Sequence, residues 1–177
     1  QRLEWKFRIP KGFQPTTKFC HLHQLKAQEG NNGAPLITIS TRCDKDGGNK
    51  RVQVIHTGDT RTSGKGVIID NLPLADFEDE WIQVETEMHY THHGTFRIKL
   101  TRISDGKVLA DQSFADVDLW RKGATSIRNK FGIYRSLGRK MQSASDRPDN
   151  GLKDESLQLA DFKVYEAHTN PNPQPHD

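Results

Sequence analysis

The sequence predicts an all-β protein, specifically an antiparallel β-sandwich or β-jelly roll. Apolar and polar residues alternate with a period of two through most of the chain, which is typical of strands with one face on a core. Pro, Gly, Asn and Asp recur between the alternating segments and mark turns. Only residues 115–122 suggest a short helical turn.

The predicted strands follow from this alternation, and turn residues separate them. They are residues 2–8, 19–25, 36–41, 51–56, 81–90, 95–103, a short strand after the turn at 104–107, 130–136 and 156–166. Pro10-Lys11-Gly12 ends the first strand, and the segment DKDGGN at residues 44–49 separates the third strand from the fourth. The tip of a hairpin is expected at His92-His93-Gly94.

The length and composition suit one domain. Of the 177 residues 33% are hydrophobic, and a single domain of this size buries about 70% of its unfolded surface. We expect a jelly-roll domain over residues 1–167 and a disordered tail over residues 168–177, which are too rich in proline to pack. No run approaches the roughly 18 apolar residues of a membrane span, and no secretory leader is visible, so no membrane partner is expected.

The charge balance points to an anionic partner other than nucleic acid. Lys and Arg number 26 against 23 Asp and Glu, a net charge of +3 that is spread along the chain. Binding of nucleic acid usually needs a concentrated basic patch, which this sequence lacks. Cys20 and Cys43 fit either a disulfide in a secreted protein or two inert thiols, and the sequence leaves both readings open.

Three predicted strands carry polar residues on one side and apolar residues on the other: 2–8, 19–25 and 130–136. We expect them to share one sheet whose polar side is a concave cleft with a cationic floor. In the last of them, Lys130, Gly132 and Tyr134 fall on one face. Glycine inside a strand usually marks the close approach of a ligand or a neighbouring backbone.

The same three strands carry motifs in a familiar order. They read Arg2-Leu3-Glu4-Trp5-Lys6, His21-Leu22-His23 and Lys130-Phe131-Gly132-Ile133-Tyr134. This order resembles the R-x-E-L-R, Q-I-H and Y-F-K-A-G-x-Y motifs of jelly-roll alginate lyases, with Lys6, His21 and Phe131 as departures. The run His23-Gln24-Leu25-Lys26 is more similar to fungal glucuronan lyases, which cut β-1,4-linked polyglucuronic acid. Those lyases have strands before the first motif, so either N-terminal strands are missing here or the fold is a shortened one.

The resemblance implies a secreted, monomeric lyase that cleaves a polyuronate, glucuronan first and alginate next, by β-elimination. It implies no cofactor for catalysis and leaves room for a structural calcium ion, with no metal ligands assigned. The reaction removes the C5 proton beside a carboxylate, so that carboxylate must be neutralised by cations or hydrogen-bond donors.

The resemblance and this chemistry together assign roles to residues of the three strands. Tyr134 is the expected acid and base, and His23 is the rival base. Neutralising the carboxylate falls to Arg2, His21 and Gln24, although Gln24 reaches the cleft only if a bulge interrupts its strand. The expected contacts to the rest of the polymer are Lys130, Lys26, Arg135 and Glu4.

Two other classes of protein share parts of these patterns. A carbohydrate-binding sandwich module would keep the cationic cleft and perform no catalysis. A cupin-like metal enzyme would use His21 and His23 on one strand face, together with Glu29, as metal ligands. For Arg2 and Glu4, the simpler reading is an ion pair on a solvated sheet.

Overall fold

The protein folds into two five-stranded antiparallel sheets that pack face to face. The computed structural model describes residues 1–59, 66–137 and 152–166. Its strands are β1 (Arg2–Arg8), β2 (Cys20–Gln28), β3 (Ile37–Arg42), β4 (Arg51–His56), β5 (Gly66–Pro73), β6 (Ile82–His89), β7 (Gly94–Arg102), β8 (Val108–Val117), β9 (Ser126–Arg135) and β10 (Gln158–Tyr165). The predicted all-β sandwich is therefore confirmed.

The two sheets have different strand orders. One, here the back sheet, runs β10-β1-β6-β7-β8, and the other, the front sheet, runs β5-β4-β3-β2-β9. Apolar side chains from the facing sides fill the space between them. They include Leu3, Trp5, Phe7, Leu22, Leu25, Ile37 and Ile39, each at most 1% exposed. The alternation in the sequence marks this core because successive side chains of a strand point to opposite faces.

The placement of β1 corrects one prediction. The strand belongs to the back sheet, whereas β2 and β9 neighbour each other in the front sheet. Arg2 and Glu4 thus lie on the outer face of the back sheet, across the core from β2. The Nη2 atom of Arg2 is 2.5 Å from Glu4 and 3.3 Å from Glu85, so the simpler reading of these residues, a surface ion pair, is confirmed. The prediction that Arg2 and Glu4 contact the substrate beside β2 and β9 is wrong.

A β-bulge at Leu22 decides which side chains of β2 face outward. His21 pairs with Ser40 of β3, but His23 pairs with Ile39, so Leu22 is an extra residue. One extra residue reverses the alternation beyond it. His23 consequently faces the core, and Gln24 turns to the outer face. The bulge that Gln24 needed is present, whereas the expectation that His21 and His23 share a face is wrong.

The helical turn expected at residues 115–122 is also not observed. Residues 115–117 complete β8, and a loop follows. In that loop the buried guanidinium of Arg121 donates to the carbonyl oxygens of Gly58 and Thr57, the second at 2.8 Å.

The described residues contain no helix that is long and apolar enough to cross a membrane. The predicted tail at residues 168–177 lies outside the described residues.

Candidate active site

Polar side chains from four strands form rows across the outer face of the front sheet, here called the polar face. Cross-strand pairing aligns Tyr134 of β9, His21 of β2, Ser40 of β3 and Gln53 of β4 in one row. A second row, nearer the other end of the strands, contains Lys130, Gln24 and Thr38. Neighbouring strands lie about 4.8 Å apart, so adjacent members of a row are close enough to act on one ligand.

A pocket of about 280 Å³ lies where β2 meets the edge strand β9. Its lining combines side chains of the polar face with others of the core side: His23, Gln24, Lys26, Lys130, Phe131, Gly132, Ile133 and Tyr134. Both sides reach it because the β2–β9 ladder is interrupted, with Leu22 opposite the two residues Gly132 and Ile133. The bulge and the absent side chain of Gly132 therefore open the pocket floor.

Tyr134 is the most exposed member of the polar row, with 61% of its surface accessible. Its ring centroid lies 6.1 Å from that of His21 and 5.4 Å from that of Phe19, and Phe19 stacks on His21 at 4.9 Å. The three rings hold one another in place, and the phenol is left accessible to a ligand. Tyr134 thus shares its face with His21, the histidine that the sequence did not favour as base.

A chain of hydrogen bonds holds the imidazole of His21 in place. Its Nδ1 atom lies 2.6 Å from Ser40 Oγ, and Ser40 Oγ lies 3.0 Å from Thr38 Oγ1. Burial lowers the pKa of His21 to about 4, and the nearby charge of Arg42 adds to this. The imidazole is neutral at pH 7 and able to accept a proton.

His23 lies beneath the pocket in an aromatic environment. Its ring centroid is 5.3 Å from that of Trp5 and 4.9 Å from that of Phe131, and only 2% of the residue is exposed. Burial lowers the pKa of His23 to about 4, opposed by the hydrogen bond to Asn129. Nε2 donates to Asn129 Oδ1 at 2.9 Å, and the buried Nδ1 atom has no hydrogen-bond partner within the described ranges. The contacts of His23 are those of a core residue.

Three cations gather at one end of the polar face. Lys26, Arg128 and Lys130 lie on adjacent strands, and Lys26 and Arg128 form a cross-strand pair. The pKa of Lys26 is lowered by burial first and then by the charges of Lys130 and Arg128. None of the three forms an ion pair within the part of the chain that the structure describes. An anion bound here would relieve their mutual repulsion.

The remaining predicted contact lies elsewhere. Arg135 pairs with Cys20 on the core side of β9, and its Nη2 atom donates to the carbonyl oxygen of Lys153 at 2.5 Å. Arg135 therefore points away from the polar face that carries Lys130 and Tyr134, and its role as a substrate contact stays a prediction. Cys20 and Cys43 are separate buried thiols.

The geometry of β2 does not support the cupin-like metal site. His21 and His23 face opposite sides of the front sheet, so the two imidazoles of a cupin-like site are not on one face. Across residues 1–59, 66–137 and 152–166, no three His, Cys, Asp or Glu side chains gather as a metal site. The structural calcium ion that the resemblance allows stays a prediction.

Sequence reasoning missed the polar residues of β3. Thr38, Ser40 and Arg42 alternate with buried isoleucines and belong to the polar face. The signal was present, because Thr38 and Ser40 alternate with Ile37 and Ile39, which indicates a strand with a polar side. No motif drew attention to them.

Comparison with known proteins finds solved structures with a similar fold. No protein-family model and no curated sequence matches the chain. An alginate lyase from Pseudomonas aeruginosa is similar in structure with a TM-score of 0.51, 16% identity and coverage of 94% of this chain and 64% of that one. An endo-β-1,4-glucuronan lyase from the fungus Trichoderma reesei gives a TM-score of 0.49 and 17% identity, over 75% of this chain and 56% of that one. A marine alginate lyase from Aplysia kurodai gives 0.45 and 15%, over 91% and 67%.

The similarity to the alginate lyase from Pseudomonas aeruginosa confirms the predicted jelly-roll fold. At 16% identity it shows the fold alone. The chain spans 56% and 64% of the length of the glucuronan lyase and the bacterial alginate lyase. What it does must therefore be argued from its own polar face.

Proposed function

We propose that the protein is a polysaccharide lyase that cleaves a β-1,4-linked polyuronate by β-elimination and leaves a 4,5-unsaturated uronate end. The observation that carries the proposal is the joint placement of Tyr134, His21 and Gln24 on one face with Lys26 and Lys130. An exposed phenol, a neutral imidazole, an amide donor and cations are the groups that this reaction needs. Glucuronan is the first candidate substrate, and alginate is the second.

The carboxylate of the reacting sugar binds between Gln24 and Lys130. These two residues pair across β2 and β9, and Gln24 is only 8% exposed, so its amide is held in position. The amide N–H group and the ammonium neutralise the carboxylate and stabilise the enolate-like transition state. They take the role that the sequence had given to Arg2.

Proton transfer falls to Tyr134. In a 4-linked glucuronate the C5 hydrogen and O4 lie on the same side of the ring, so one residue can serve both steps. The phenolate takes the C5 proton, the C5–H electron pair forms the C4–C5 double bond, and the C4–O4 bond breaks. The phenol then returns the proton to O4. His21, a neutral imidazole on the polar face, replaces the buried His23 as the assisting base.

Two further expectations follow from the proposed substrate. Polyuronates are found outside the cell, so we expect the protein to be secreted. The polar face of one molecule contains every group named above, so a monomer suffices. No step requires a cofactor.

The decisive experiment follows the ultraviolet absorbance of the new C4–C5 double bond on polyglucuronate and on alginate. We expect turnover of at least one polymer and a loss of roughly 100-fold or more in Tyr134→Phe, because the acid and base are removed together. Tyr165→Phe is the matched control, since Tyr165 is an exposed tyrosine of the back sheet. Full activity in Tyr134→Phe would remove the assigned acid.

A non-catalytic binding module is the second candidate. The exposure of Tyr134 favours it, because an open aromatic ring beside cations is also a platform for a sugar. Binding of polyuronate without any gain in ultraviolet absorbance would support this reading over the lyase.

A further inference from the structure

We propose that Arg42 forms a second anion-binding subsite, which takes the carboxylate of a uronate unit further along the polymer than the unit that reacts. The inference rests on the proposed function. Arg42 ends β3 two residues after Ser40, on the polar face, and it pairs across strands with Arg51 of β4. It lies at the opposite end of this face from the pocket cations Lys26 and Lys130.

Arg42 has a donor without an acceptor. Its Nε atom is buried and has no hydrogen-bond partner among the residues that the structure describes. Across the described ranges the guanidinium forms no ion pair, although it is half-buried. A charged donor out of contact with water is costly unless an acceptor satisfies it. A carboxylate can engage two N–H groups of a guanidinium at once, and this is the geometry that arginine favours.

The acids nearest to Arg42 are engaged by other residues. Asp44 lies 2.8 Å from the Nη1 atom of Arg51, and Asp70 accepts a hydrogen bond from Gln53 at 2.7 Å and lies 3.5 Å from Arg51 Nε. The pKa of Arg42 is lowered by burial and by Arg51, and raised by Asp70. The two carboxylates therefore hold Arg51 in place, and Arg42 is left to receive an anion from outside.

The position of Arg42 sets the distance between the proposed subsite and the residues that bind the reacting sugar. Arg42 is close enough to His21 that its charge lowers the pKa of that imidazole. Thr38 is the cross-strand neighbour of Gln24, and Arg42 lies four residues further along β3. The distance from Thr38 to Arg42 along the strand is therefore about 13 Å. That span exceeds one sugar ring. A polymer with one carboxylate at Gln24 and Lys130 therefore brings a later carboxylate to Arg42, with Tyr134 and His21 between them.

The test compares Arg42→Gln and Arg42→Lys with Arg97→Gln, which removes a charge from the back sheet. Steady-state kinetics are measured on uronate oligomers of increasing length, and the affinity for the long polymer is measured separately by titration calorimetry with Tyr134→Phe as the background. We expect Arg42→Gln to raise KM and Kd roughly 10-fold on long chains, the loss expected for one hydrogen bond to a charged group. On the shortest cleaved oligomer KM should be unchanged, and kcat should change little at any length.

Arg42→Lys keeps the positive charge and loses the two parallel N–H donors of the guanidinium. Its KM should therefore fall between those of the wild type and Arg42→Gln. It also keeps the test valid if Arg42→Gln does not fold, which thermal unfolding would reveal. An equal KM for wild type and both variants at every length would overturn the subsite while leaving the lyase intact. A wild type that neither cleaves nor binds any polyuronate would overturn the proposed function and the subsite together. A wild type that binds without cleaving would leave the subsite to be decided by Kd.

Discussion

His21 and His23 show that two histidines in one strand can have different chemistry. The two residues are both half to fully removed from water, and burial lowers the pKa of each to about 4. Their partners differ, because His21 is hydrogen-bonded to a serine hydroxyl and His23 donates to the half-buried amide of Asn129. The first is a neutral base on the polar face, and the second is a core residue whose protonation would put a charge among aromatic rings.

His23 should make the protein sensitive to acid. Its pKa is about 6.5 when unfolded and about 4 when folded, so the unfolded state binds the proton first. The stabilising contribution is full above pH 6.5 and is lost as the pH falls towards 4. In His23→Gln we expect the free energy of unfolding to fall by about 2 kcal/mol less than in the wild type between pH 7 and about pH 4.5.

The measurement is urea unfolding at both pH values, with His89→Gln as the control, since His89 is an exposed histidine of β6. The variant should also keep most of the proposed lyase activity, because we assign the assisting base to His21. Equal losses of stability in wild type and His23→Gln would show that His23 is not buried as a neutral imidazole. A large loss of turnover in a folded variant would return the role of base to His23.

At the scale of the strand, alternation predicted the faces correctly until an irregularity intervened. In β9 the predicted phase is confirmed, since Phe131 and Ile133 pack against the core while Lys130 and Tyr134 are exposed. In β2 the same rule placed His23 on the wrong face, because one extra residue at Leu22 reverses every side chain beyond it. A bulge leaves no mark on an alternating pattern unless the burial of individual residues is known.

Gly132 stands opposite this bulge, and its backbone sets the cost of replacing it. Its φ angle is +126°, a value that side-chain-bearing residues rarely adopt. A Cβ atom there would meet nothing within 4 Å, so the cost of Gly132→Ala comes from the backbone and not from a clash. We expect this variant to lose about 1–3 kcal/mol of stability. Chemical denaturation tests it.

The control for that experiment is Gly33→Ala. Gly33 also has open space around its Cβ position, but its φ angle lies outside the left-handed region. Its replacement should leave stability unchanged or slightly improved. If both variants unfold at the same denaturant concentration, Gly132 is not a strained position and the bulge geometry would need another explanation.

At the scale of the whole molecule, the sequence predicted the sandwich but not the assignment of its first strand. The alternation of β1 reports which side chains face a core, and both sheets share that core. Nothing in the pattern of Arg2 or Glu4 distinguishes the back sheet from the front sheet, since a strand's neighbours are set by tertiary pairing. The residues of the polar face come from β2, β3, β4 and β9, which pairing brings together from distant parts of the chain.

The two outer faces differ in how their charges are arranged. On the back sheet, cations face carboxylates, as in Lys6 with Asp161 at 2.5 Å and Arg97 with Asp111 at 3.1 Å. On the polar face, Lys26, Arg128 and Lys130 form no ion pair within the described residues. A small net charge of +3 therefore conceals an uncompensated positive region beside the pocket.

This asymmetry predicts how salt acts on the protein. Exposed charges are screened over a Debye length of about 8 Å at physiological ionic strength, so added salt should weaken the attraction of the polar face for a polyanion. We expect the wild-type KM for polyuronate to rise with sodium chloride. Lys26→Gln combined with Lys130→Gln should raise KM at low salt by roughly 10-fold and flatten its salt dependence. Lys99→Gln, a change on β7 of the back sheet, should behave as the wild type does. A double variant with wild-type KM and the wild-type salt slope would show that the polymer does not bind over these lysines.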